Sequence, residues 1–133
     1  MSRKYQFMTE VLNNEDINEI FNGVLKELKE KFNQKYQIQY GFAWGNWIYE
    51  KDWKYLIKTP DEILSEVKMY LDKKDGKIGS DDFYIKTIDE NLEITFCHES
   101  DVHIEYDIKN DLVQAIEEII KNKSILKIME NDG

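Results

Sequence analysis

Between Phe83 and Tyr106, apolar or β-branched residues recur at every second position in three successive runs. These are Phe83, Ile85 and Thr87, then Leu92, Ile94 and Phe96, then Val102, Ile104 and Tyr106. A period of two belongs to strands, and it commits one face to a core and the other to water. The stretch therefore reads as a three-stranded antiparallel meander, turned at Asp89-Glu90-Asn91 and again at Glu99-Ser100-Asp101. The last two runs both fall on even positions. Residues opposed across that hairpin must then have an even sum, and the loop must hold an odd number of residues. A loop of Glu99, Ser100 and Asp101 pairs His98 with Val102, Phe96 with Ile104 and Ile94 with Tyr106.

Helical periods flank the meander. After a strand over 4–12 that alternates Tyr5, Phe7, Thr9 and Val11, Asn13 or Asn14 caps a helix. Its apolar stripe is Ile17, Ile20, Phe21, Val24, Leu25, Leu28 and Phe32. Residues 36–57 read as two long strands about a Gly45-Asn46 turn, which pairs Trp44 with Trp47 and Phe42 with Tyr49. Thr59, Pro60 and Glu62 form a complete helix start, with Ile63, Leu64, Val67, Tyr70 and Leu71 buried behind it. Asn110 or Asp111 begins a third helix, and 124–130 is a final edge strand or a fraying helical end. The order β-α-β-β-α-β-β-β-α describes a single α+β domain over 1–133, a largely antiparallel sheet with helices packed on one face.

Charge is unevenly placed. The chain carries a formal −9, and segment 81–111 holds ten acids against Lys86 and Lys109, so −8 of it lies in that third. Such a field repels nucleic acid and anionic membranes and draws in a basic partner. No apolar run is long enough for a signal peptide or a membrane span. Cys97 is the only cysteine, which excludes an intramolecular disulfide. The expectation is a cytoplasmic protein that binds neither nucleic acid nor membrane.

The stretch "CHESDVHIEY" (97–106) concentrates ligand-type side chains. In the three-residue-loop register His98 faces the core, while Glu93, Thr95, Cys97, His103, Glu105 and Asp107 face outward. Two histidines on opposite sides of a sheet cannot share an ion. Cys97, Asp101, His103 and Glu105 remain as an alternative metal set or a Cys/His enzyme centre, since thiolate, imidazole and carboxylate are zinc-type donors. The negative surroundings disfavour a thiolate nucleophile. Adjacent acids such as Glu117-Glu118 read as a solvated helix face. The expectation is no catalytic residue, no metal and no cofactor.

What remains is a binding surface: Glu93, Glu99, Asp101, His103, Glu105 and Asp107 on the acidic ribbon, with Trp47 and Trp53 as aromatic anchors. In size, acidity, α+β order and the acid-rich "HESDVHIEY" hairpin, the chain resembles the small cytoplasmic immunity proteins that bacteria make against polymorphic or contact-dependent toxins. The likeness is one of type over the whole chain and assigns no residue a role. It implies an inhibitor whose acidic sheet face covers a cognate toxin, for example a basic nuclease. An adaptor or self-associating protein without a toxin is the other binding alternative.

Overall fold

A computed structural model of the chain describes residues 3–41, 55–74 and 76–128. The elements are β1 (Tyr5–Met8), α1 (Asn14–Lys31), β2 (Tyr36–Tyr40), β3 (Leu56–Lys58), α2 (Pro60–Asp72), β4 (Phe83–Thr87), β5 (Leu92–Phe96), β6 (Val102–Tyr106), α3 (Asp111–Lys121) and β7 (Lys127–Ile128). The strands form one antiparallel sheet in the order β3-β2-β4-β5-β6-β1-β7. The expected α+β order is therefore the observed one, and within the 124–130 stretch Lys127–Ile128 forms a short edge strand against β1.

Local chemistry starts each helix. The Asn13 side chain accepts from the Asp16 N–H, and Asn110 does the same for Val113. Thr59 and Glu62 exchange both bonds of a capping box, with Pro60 in the first turn. Packing then fixes the faces. Ile17, Ile20, Val24 and Leu25 of α1, Ile63 and Val67 of α2, and Val113, Ile116 and Ile120 of α3 are buried against one side of the sheet. That side presents Tyr36, Ile38, Tyr40, Phe83, Ile85, Leu92, Ile94, Phe96, Val102, Ile104 and Tyr106, all buried. Helix α1 touches both other helices and sits over the middle strands.

Two registers differ from the sequence expectation. In the β5–β6 hairpin Phe96 pairs with Val102, Ile94 with Ile104 and Leu92 with Tyr106. The pairing sum is lower by two than the three-residue loop requires, so the connection spans residues 97–101. Every side chain that stays within β5 and β6 keeps its expected face, because a shift of two preserves parity. His98 leaves the strand altogether.

In the β2–β3 hairpin Tyr36 pairs with Lys58 and Ile38 with Leu56. A two-residue turn at Gly45-Asn46 would have paired them with Tyr55 and Trp53. This odd shift changes the face: Leu56 joins Ile38 toward the core, and Tyr55 and Ile57 turn outward. The Gly45-Asn46 turn and the Trp44–Trp47 and Phe42–Tyr49 pairs lie outside the described residues.

A third difference is Glu117. Its side chain is 6% exposed, between Lys109 and Lys121 at 3.4 and 3.8 Å, where a solvated helix face was expected. Helical spacing explains it: residue 117 shares the inward stripe with Val113, Ile116 and Ile120.

Gly41 ties β2 to the segment before β4. Its N–H donates to the Asp82 carbonyl at 2.8 Å, and a Cβ there would meet the Asp82 Cβ at 2.6 Å. Gly41→Ala should therefore force Asp82 away and cost about 1–3 kcal/mol of unfolding free energy. Chemical denaturation measures this, and an unchanged midpoint would show that the two backbones need not approach.

Candidate functional site

The turn between β5 and β6 is closed by short backbone bonds. The Cys97 N–H donates to the Asp101 carbonyl at 2.9 Å and the Ser100 N–H to the Cys97 carbonyl at 3.0 Å, with Ser100 at φ +67°. The chain leading into α1 laces onto it. The Thr9 N–H donates to the Val102 carbonyl at 2.9 Å and the Leu12 N–H to the Ser100 carbonyl at 2.8 Å. In return the Ser100 hydroxyl donates to the Leu12 carbonyl at 2.7 Å, and the Val102 N–H to the Thr9 hydroxyl at 3.0 Å. A turn held by these six hydrogen bonds presents its side chains in fixed directions.

Those side chains gather around one sulfur. Cys97 Sγ, a carboxylate oxygen of Asp101 and a ring nitrogen of His103 all lie within 4.8 Å of one another, as do the corresponding atoms of Asp82, Cys97 and His98. The Asp101 side chain is 4% exposed, and its Oδ2 accepts from His103 Nε2 at 2.9 Å. Its Oδ1 is enclosed without a hydrogen bond, and the weakly donating Cys97 thiol lies beside the carboxylate. On the other side Asp82 Oδ1 accepts from the His98 N–H at 2.7 Å and lies 3.0 Å from His98 Nδ1. His98 Nδ1 is in turn 3.8 Å from Cys97 Sγ. Both histidines thus reach the same sulfur. The expectation that they point to opposite sides of the sheet is corrected, because His98 belongs to the turn and not to the strand.

Electrostatics sort the possible chemistries. Burial, helped by the Asp101 and Asp82 charges, pushes the Cys97 thiol up to about 11. A thiol protonated at neutral pH is a poor nucleophile unless a cation displaces its proton. The Asp82 hydrogen bond and charge raise the His98 imidazole above its ordinary value.

The outer sheet face mixes both signs. Glu93 is directly opposite Glu105. Arg3 meets Glu93 at 3.2 Å, and the Tyr55 hydroxyl donates to the same carboxylate at 3.1 Å. Lys86 sits 3.9 Å over the Tyr55 ring and 3.0 Å from Glu90. Glu105, half-buried and facing Glu93, has its carboxyl raised, by burial first and by the Glu93 charge second.

Of the sequence-based contact residues, Glu93, His103 and Glu105 share the outer face. Glu99 projects from the turn with its side chain 71% exposed, and Asp107 lies at the far end of β6, where it accepts from the Lys4 N–H at 2.9 Å. Asp101 is buried and offers no contact surface. Trp47 and Trp53 lie outside the described residues. Sequence reasoning missed Asp82, Arg3 and Tyr55, which come from distant positions and carry no local pattern. Glu117 could have been found from its place in the α3 stripe.

Two titration experiments follow from this arrangement. A histidine stabilised in its charged form contributes stability that is complete below its unfolded value of about 6.5 and is lost as pH rises through the folded value. NMR titration should place His98 above the ordinary histidine range in the native chain and return it there in Asp82→Asn. An unshifted native His98 would break the pair. For Glu105 the sign is the same and the cause differs: a carboxyl raised by burial and a like charge makes stability fall as pH rises from its ordinary 4.5 through the folded value. Glu105→Gln should therefore stabilise the protein at neutral pH by about 0.2–1 kcal/mol, toward the lower end in salt, and not below pH ~4. Destabilisation at neutral pH would refute the repulsion.

Neither a protein-family model, nor a curated protein, nor a solved structure matches this chain.

Proposed function

We propose that the protein is a protein-binding inhibitor of the immunity type, which neutralises a cognate toxin with a basic surface, such as a nuclease. The observation that supports this reading is the charge that folding leaves uncompensated. Of the ten carboxylates in 81–111, only Glu90 and Glu93 meet a lysine or arginine among the described residues. The segment's second base, Lys109, is drawn instead to Glu117. Asp82 and Asp101 are engaged by histidines.

The division of labour follows from burial. Glu99 and Asp107 are exposed, and Glu105 lies on the outer face, so these three supply the field that steers a basic partner. Half-buried Tyr84 and Thr95 and exposed Tyr55 and Ile57 provide apolar area between them for short-range contact. A field of this sign opposes docking on nucleic acid. No helix of the described residues is long and apolar enough to cross a membrane. The inhibitor reading places the protein in the cytoplasm, where a toxin would act.

Co-expression with the product of the adjoining gene should relieve toxicity and yield a complex whose association slows as salt is raised. Combined Glu99→Lys, Glu105→Lys and Asp107→Lys should reduce the association rate constant on the order of tenfold, with dissociation little changed. Lack of a complex, or association indifferent to both salt and charge reversal, would reject this function.

A further inference from the structure

We propose that Cys97, Asp101 and His103, joined by His98, form a zinc-type cation site that staples the β5–β6 turn. Three observations carry it. The ligating atoms of Cys97, Asp101 and His103 lie within 4.8 Å of one another. Asp101, its side chain 4% exposed, encloses an oxygen with no hydrogen bond, a costly arrangement that a cation would relieve. Exposed His98, unconstrained by core packing, already holds Nδ1 3.8 Å from the Cys97 sulfur.

Geometry and chemistry agree on the class of ion. Zinc bonds of about 2.0–2.3 Å place tetrahedral donors roughly 3.3–3.8 Å apart, so closing Cys97, Asp101 and His103 on an ion needs side-chain movements on the order of 1 Å, while His98 turns in from its contact with Asp82. A thiolate with imidazoles and one carboxylate suits zinc or another borderline divalent ion and not magnesium or calcium, which take oxygen ligands. The ion binds the Asp101 carboxylate and His103 Nε2, and the proton that Nε2 now donates to Oδ2 is displaced and passes through solvent to Nδ1 of the same ring. The Cys97 thiol proton leaves to solvent as the sulfur–metal bond forms. His98 gives up the Nδ1 contact with Asp82 for the ion, its Nδ1 proton leaving to solvent, while Asp82 keeps the His98 backbone N–H at 2.7 Å. The anionic surroundings of Asp82 and Glu99 favour the added positive charge. This centre joins the turn to the strand that follows it, and the six backbone and hydroxyl bonds limit the reorganisation required.

The full chain, freed of metal by a chelator, is titrated with zinc alone and with cobalt(II) alone. Zinc should saturate at one ion per chain at micromolar protein, and cobalt should give a thiolate-to-metal charge-transfer band with tetrahedral visible absorption. Cys97→Ser should abolish the charge-transfer band and weaken zinc binding by roughly 100-fold or more, and His98→Ala by about tenfold. Glu118→Gln, which removes an exposed carboxylate on α3, should bind as the parent does. Failure of the folded parent chain to bind zinc saturably, or cobalt binding without the charge-transfer band, overturns the proposal even if a variant fails to fold. So does unchanged zinc affinity in a folded Cys97→Ser chain.

Discussion

The aromatic contact at the centre of the sheet holds the rest of the structure in place. Phe21 of α1 meets Phe83 and Phe96 edge-on, at 5.8 and 5.2 Å, and Phe83 carries the contact through Tyr40 to Tyr70 of α2. Edge-to-face pairs add about 0.5–1.5 kcal/mol each beyond the area they bury. They also set positions: Phe83 and Phe96 are register partners, and Phe96 in turn faces Val102. Once these rings are seated under α1, the β5–β6 connection must accommodate residues 97–101. The turn that gathers Cys97, His98, Asp101 and His103 is thus a consequence of core packing several ångströms away.

The acidic segment is dispersed by the same geometry. Its carboxylates include a buried ligand-like position (Asp101), an outer-face pair (Glu93 and Glu105), Glu99 in the turn with Asp82 against it from the segment before β4, and the far end of the meander (Asp89, Glu90 and Asp107). Like charges directly opposite each other, as Glu93 and Glu105 are, destabilise a sheet. Arg3 and Tyr55 contact Glu93, while the Glu105 carboxyl stays raised, by burial first and by the Glu93 charge second, although the Arg3 charge lowers it. The field around the segment is therefore a property of several surfaces and not of one plane. A partner would be steered by the sum of these charges and would touch only a subset.

Much of this architecture is legible without coordinates. The three helix starts follow from side chains that accept the first free N–H groups, and Asn13, Thr59 and Asn110 announce them locally. The alternation at Leu92, Ile94, Phe96, Val102, Ile104 and Tyr106 identifies the inward face of the hairpin without error. The β2–β3 hairpin was less legible, because its expected register rested on a Gly-Asn dipeptide and not on burial. Leu56, Tyr55 and Ile57 are all apolar enough to occupy either face, so composition does not choose between them.

By itself, the sequence determined the type and order of the elements, the helix caps and which side chains of the meander turn inward. Only the tertiary structure decided how far the strands slide. The physical reason is that a period-two pattern separates odd offsets from even ones and is blind to a slide of two residues, which leaves every apolar group inside. That undetermined slide moved His98 off the strand and into reach of Cys97. It is also why a chain whose faces could be read in advance kept its most chemically distinctive cluster out of sight until the rings of Phe21, Phe83 and Phe96 were packed together.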